Sequence, residues 1–191
     1  LGKKIIIHTV HGFPFHDFMS RTRRICYMLI EKIANSLTTH LITVSNLNYK
    51  KIVDLKLAKP EYITNIYSGI NFDKFKVNPK HVFRQELKID SNFKLIGFIG
   101  RLSAQKDPLT FLEAILKVVA INPSCYFILV GGGPKELEIR TFIKEYNLGS
   151  QVSLLGIRDD IPSILNDLDL FVLSSIYEGL GRSMTEALYC K

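Results

Sequence analysis

The chain has 191 residues, 47% of them hydrophobic and 23% charged, a balance that excludes intrinsic disorder and supplies a core for one large domain or parts of two. Its 25 Lys and Arg against 18 Asp and Glu give a formal net charge of +7, which points to an anionic partner and leaves nucleic acid, an acidic lipid surface, a phosphorylated small molecule and plain solvation of helix faces all open. Cys26, Cys125 and Cys190 lack any CxxC pairing, which argues against a disulfide framework or a structural zinc site and fits a reducing cytoplasm. No run approaches the roughly 18 to 20 apolar residues of a membrane-spanning helix, and no charged-then-apolar leader opens the sequence, so a cytoplasmic protein is expected.

In chain order, KIIIHTVHG (residues 4–12) reads as a buried strand. Residues 20–40 then read as a helix with Ile25, Met28, Leu29, Ile33 and Leu37 on one side. LITVS (41–45) is a second strand, a helix runs from about Asn46 to Leu57, and YITNIYSG (62–69) is a third strand. The polar stretch 70–92, rich in Asn, Pro and charge, marks a domain boundary. From residue 93 strands alternate with helices, as a parallel doubly wound sheet requires. The strands are KLIGFIG (94–100), CYFILVG (125–131), VSLLG (152–156) and DLFVLSS (169–175). Between them lie helices at 107–122, with Asp107 as N-cap and Pro108 at the first position, at 134–147 and at 160–168. A last helix opens at Arg182 or Ser183. The first residue is Leu1, and Lys191 falls inside that last helix, so a piece of a longer protein is expected: residues 1–75 from one α/β domain, a linker at 76–92, and residues 93–191 from a second, both incomplete.

Three strand ends carry candidate chemistry. FIGRLSAQKDP leaves a strand at Gly100, places Arg101 and Lys106 in the loop and then starts a helix, an arrangement suited to a diphosphate. A merely polar loop reads the same way, and Gly-x-x-x-x-Gly-Lys-Ser/Thr is absent, which excludes a P-loop. LVGGGP, with Gly131, Gly132 and Gly133, does not complete a dinucleotide fingerprint and fits a tight backbone turn as well as a ligand contact. In YEGLGRSMTEAL, Glu178 precedes a glycine turn and Glu186 follows about one helical turn in. Such carboxylates accept bidentately from vicinal hydroxyls, although capping or solvation would also place acids there.

Together, GRLSAQKDPLTFLEA, ILVGGGP, VSLLGIRDDIPSIL and DLFVLSSIYEGLGRSMTEAL, with the earlier VSNLNYKKIV and SGINFDKF, resemble the family 4 retaining glycosyltransferases of GT-B fold, in that family's order and over nearly the whole chain. The resemblance implies two Rossmann-like α/β domains, a nucleotide-diphospho-sugar donor held by the second, and a glycan or polyprenyl-diphosphate-linked acceptor held by the first. It implies cell-surface polysaccharide synthesis with no metal and no cofactor beyond the donor. Arg101 and Lys106 match the family's basic pair on the donor diphosphate. Glu178 and Glu186 match its E-x7-E acids, the first beside the transferred sugar and the second on the ribose. Gly100, Gly131, Gly132, Gly179 and Leu180 fall with them on the donor side. Ser68 and Asn71 stand where the family more often has Asn and Asp. A nucleotide-sugar-binding subunit without activity and an epimerase of the same fold remain alternatives.

The resemblance also places His11, in TVHGFPFH, facing the reacting groups. His8, His11 and His16 lack the carboxylate or Cys that would complete a metal set, and a buried hydrogen-bonded histidine is the competing reading. Arg21, Arg23 and Arg24 crowd a helix start, where cations are disfavoured. They fit either an anionic acceptor or acidic membrane face, or simple pairing with Asp17 or Glu31. Asp167-Leu-Asp169 reads as a helix end and strand start rather than a metal loop. Basic residues are not interleaved with aromatics, so no nucleic-acid partner is expected.

Overall fold

A computed structural model describes residues 4–75 and 82–190, so residues 76–81 of the expected linker, and Lys191, lie outside the described residues. The chain divides into two compact units. Unit 1 takes residues up to Gly69 together with Glu178–Leu180, and unit 2 takes Ile70–Tyr177 and the residues from Gly181 on.

Unit 1 is a three-stranded parallel sheet built from β1 (Ile7–Val10), β2 (His40–Thr43) and β3 (Ile63–Asn65), in that order across the sheet. Helices α1 (Arg21–Ser36) and α2 (Asn46–Asp54) make the crossovers that parallel pairing demands. Val10, Phe15, Leu41, Ile52, Leu57 and Ile63 form its core, with Met28 of α1 packed against it. The Ser45 hydroxyl starts α2 by accepting from the Asn48 amide, and the Asn48 side chain donates to the Val10 carbonyl.

The expectation of a buried first strand is corrected here. Ile5 and Ile6 precede β1 and, like Ile7, are exposed, whereas Val10 at the far end of the strand is buried. On the apolar side of α1, Met28 packs inward, whereas Ile25, Leu29, Ile33 and Leu37 are exposed.

Unit 2 contains a four-stranded parallel sheet of β4 (Lys94–Ile99), β5 (Cys125–Val130), β6 (Val152–Leu154) and β7 (Leu170–Phe171), ordered β6-β5-β4-β7. Alternate residues of β4 and β5 feed two cores. Ile96, Phe98, Phe127 and Leu129 pack with Phe111, Leu112 and Ile115 of α4 (Pro108–Ile121) and Ile139 of α5 (Glu136–Glu145). On the other face, Leu95, Ile99, Ile128 and Val130 pack with Ile164 and Leu165 of α6 (Ile161–Asp167) and Phe83 of α3 (Val82–Glu86). Both faces are therefore covered, which is why these strands read as continuous apolar runs. A last helix, α7, spans Arg182–Tyr189.

Helix α3 lies within the stretch that reads as a polar connector. The Asp167 carboxylate accepts from the Phe83 and Arg84 amides at 2.9 and 3.1 Å, supplying the N-terminal cap, and the Arg84 guanidinium pairs with Asp169. Asp169 also accepts from the Leu95 amide at 2.7 Å. Burial pushes the Asp169 carboxyl upward, but that amide and the charges of Arg84 and Lys94 outweigh it and hold the group below the usual carboxylate range. The Asp-Leu-Asp triplet is thus a structural clamp at a helix end and strand start.

Candidate functional site

The strand order of unit 2 creates a switch point. From β4 the chain steps to β5 and β6 on one side, then returns through α6 to place β7 on the other side of β4. In open α/β sheets the crevice outside the carboxyl ends of the strands at such a point is where ligands bind. Here it is bounded by the loops leaving β4 and β7. They are tied together: the Ile176 amide donates to the Gln105 carbonyl at 2.9 Å and the Gln105 carboxamide donates to the Tyr177 carbonyl at 3.1 Å. The Ser174 hydroxyl is shared between the carbonyls of Lys106 and Asp107.

The loop after β4 carries Gly100, Arg101 and Lys106. Arg101 is exposed, and the Lys106 stem runs across Gly100, where a Cβ would lie 3.9 Å from its Cδ and Cε. The Ser103 carbonyl accepts from the Lys106 and Asp107 amides, which closes the loop into a turn. From the neighbouring strand end, Gly131 approaches so closely that a Cβ there would sit 2.0 Å from the Gly100 carbonyl oxygen, and its φ of +134° is open to glycine alone. Gly131 therefore has a structural reason to be glycine. Gly132 lies against Ile157 of the loop after β6, where a Cβ would be 3.2 Å from Cγ1.

The Asp107 carboxylate caps the N-terminus of α4, as expected, accepting from the Thr110 hydroxyl at 2.7 Å and the Thr110 amide at 3.5 Å. Helix α7 differs. Its N-cap is Gly181, with φ +63° and no side chain to cap the first amides. Glu186 sits one turn into α7, its side chain 17% exposed, with the Arg182 guanidinium 4.0 Å away. Burial raises the Glu186 carboxyl above its ordinary value, and the Arg182 charge opposes this only in part. A partly desolvated carboxylate of this kind gains much by accepting hydrogen bonds from hydroxyls.

Glu178, Gly179 and Leu180, between β7 and α7 in sequence, group with unit 1, as does His11 just beyond β1. Within that unit a Cβ on Gly179 would lie 2.2 Å from the His11 carbonyl oxygen, so this turn and the strand end share close backbone packing. The His11 side chain is exposed. Of the three arginines opening α1, Arg24 pairs with Asp17 at 3.0 Å. Among the described residues, no group of three or more His, Cys, Asp or Glu could hold a metal ion, and no helix is long and apolar enough to cross a membrane. Sequence reasoning missed Gln105 and Ser174, whose hydrogen bonds join residues 67 to 72 positions apart and leave no local pattern.

Comparison with known proteins bears on the family and the fold. Residues 79–191 match the family described as glycosyl transferases group 1. A curated Escherichia coli relative, UDP-Gal:alpha-D-GlcNAc-diphosphoundecaprenol alpha-1,3-galactosyltransferase, is 32% identical over 191 residues, covering 97% of this chain and 49% of its own. The crystal structure of Anabaena HepE in complex with UDP-glucose superposes with a TM-score of 0.83 at 25% identity, over 98% of this chain and 52% of that one. WaaG, a glycosyltransferase involved in lipopolysaccharide biosynthesis, shares the fold at 17% identity, with a TM-score of 0.77 over 96% of this chain and 54% of its own. The chain thus spans about half the length of the curated relatives it matches.

Proposed function

The chain belongs to the glycosyl transferases group 1 family, and from that premise we propose that the full-length protein is a retaining glycosyltransferase. It moves a hexose or N-acetylhexosamine from a nucleotide diphosphate, UDP in the first instance, to a glycan or polyprenyl-diphosphate-linked acceptor in cell-surface polysaccharide synthesis. The observation that carries this reading is the switch-point crevice of unit 2. Two cations, Arg101 and Lys106, follow one of its strands, and a helix with a glycine N-cap and a partly buried acid, Glu186, follows the other.

In this reading Arg101, Lys106 and the first amides of α7 bind the diphosphate, and Glu186 accepts from the ribose hydroxyls. Glu178, Gly179 and Leu180 contact the transferred sugar, with His11 on the acceptor side. Gly100, Gly131 and Gly132 keep the backbone low enough for the nucleotide to approach. As the bond between the anomeric carbon and the phosphate oxygen breaks, its electron pair passes to the diphosphate, whose growing charge Arg101 and Lys106 stabilise. The acceptor hydroxyl attacks from the same face and gives its proton to the departing phosphate oxygen, so the anomeric configuration is kept. Charge neutralisation rests on side-chain cations, and no metal or cofactor is assigned. The acceptor's polyprenyl chain would bring the enzyme to an acidic membrane face, with Arg21 and Arg23 available to it.

The test incubates the full-length protein with UDP- and GDP-sugars and lipid-linked acceptors, and identifies products by mass spectrometry and anomeric NMR. Transfer with retained configuration is expected. Donor binding without any product, or an altered sugar with no acceptor added, would replace this reading with a binding subunit or an epimerase.

A further inference from the structure

The parallel strands of unit 1 end on one edge of their sheet, in the order β1-β2-β3. His11 follows β1 there, and Gly179 lies against its carbonyl oxygen. Thr43 closes β2, Asn65 closes β3, and Asn46 opens α2 just beyond β2. The Thr43 hydroxyl donates to Asn65 Oδ1 at 2.9 Å, and Asn65 Nδ2 donates to Asn46 Oδ1 at 2.9 Å. Thr43 is 0% exposed, Asn65 is partly buried and Asn46 is exposed, so this chain of bonds runs from the core out to solvent.

An asparagine at a helix start often serves as the cap. Here Ser45 has that role, its hydroxyl accepting from the Asn48 amide, and the Asn46 side chain is turned to β3 instead. Its Nδ2, at the outer end of the chain, has no protein acceptor among the described residues. Two exposed carboxamides gain little from each other in water. Anchoring them on a buried hydroxyl fixes their planes before any ligand arrives, which lowers the cost of binding one. Two residues beyond Asn65, Tyr67 is 63% exposed and adds an apolar ring with a polar tip.

We propose, resting on the transferase reading above, that Asn46, Asn65 and Tyr67 form the subsite for an uncharged pyranose ring of the acceptor. The ring's oxygens accept from the two carboxamides, and its C–H face lies on Tyr67. Neutral amide donors match hydroxyl and acetamido oxygens, whereas a diphosphate calls for cations. Neighbouring strands lie about 4.8 Å apart, so β3 stands roughly 10 Å from β1. That spacing leaves room for one sugar ring between His11, on the side of the reacting hydroxyl, and the carboxamides.

Saturation-transfer NMR of the full-length protein with UDP measures binding of the p-nitrophenyl α-glycosides of glucose, galactose and N-acetylglucosamine, and a transfer assay with lipid-linked acceptors gives the acceptor KM. The wild type is expected to bind at least one glycoside. The Asn46→Ala, Asn65→Ala double variant and Tyr67→Ala should each weaken that binding, and raise the acceptor KM, at least about tenfold. Affinity for UDP and the thermal midpoint should hold in both. Glycoside binding that depends on these residues in a protein that transfers no sugar overturns the transferase reading and supports the sugar subsite. Transfer that proceeds while either variant keeps the wild-type glycoside affinity and acceptor KM overturns the subsite alone. A wild type that binds none of the three glycosides overturns it as well.

Discussion

Lys106 and Glu186 are the residues on which the proposed chemistry turns, and each has a signature that a structural role would not give. Removing one preorganised cation from a developing oxyanion costs on the order of 100-fold in turnover, so Lys106→Ala should lower kcat by about that factor while the thermal midpoint holds. An unchanged kcat would remove the diphosphate role. Glu186 titrates above its ordinary value because it is partly buried. A carboxyl raised in this way contributes stability that is fully present below the unfolded value, near 4.5, and is lost as pH rises through the folded one. At neutral pH, then, Glu186→Gln should fold as well as the wild type or better, yet bind uridine nucleotides roughly tenfold less tightly, because a charged acceptor has been replaced by a neutral one. Below neutrality the wild type should lose affinity as Glu186 protonates, with that part of the pH dependence absent in the glutamine variant. A glutamine variant that unfolds at neutral pH would make Glu186 a structural residue.

The elements of unit 2 show what a sequence can and cannot display. Strands β4 and β5 and helix α4 were legible because both sheet faces are covered and because Asp107-Pro108 is a local start signal. Helix α3 was not legible. Its five residues lie in a polar stretch, and its cap comes from Asp167, 84 positions later. Strand β7 spans Leu170–Phe171, with the Asp169 and Val172 amides also donating to carbonyls of β4, so the apolar run 169–175 overstated its length. Gly100 and Gly131 were named as donor-side positions, but their mutual contact comes from strand register and could not be read from either motif. Two outcomes follow. Asp167→Ala, which leaves the Phe83 and Arg84 amides buried without their acceptor, should cost about 2–4 kcal/mol in chemical denaturation. Gln105→Ala removes one tie between the loops of the switch point and should raise KM for the donor more than it lowers stability, with Gln105→Glu failing to rescue because the donating amide is lost.

For the whole molecule, the net charge of +7 left the anionic partner open, and the proposed function takes it to be a nucleotide diphosphate. The resemblance in the motifs and the sheet order of unit 2 point the same way, although one is read from residue types and the other from backbone pairing. The fold class was within reach of the sequence because four strand-helix repeats fix a parallel sheet. The exposed Ile5, Ile6 and Ile7 were not, since a run of isoleucines does not show where along it the strand begins. The central claim is that Arg101 and Lys106 hold the diphosphate, and calorimetric titration of the full-length protein with UDP tests it most directly. The account predicts that the wild type binds and that the Arg101→Ala, Lys106→Ala double variant binds at least about 100-fold more weakly with an unchanged thermal midpoint. Equal affinity of the two proteins for UDP would contradict it.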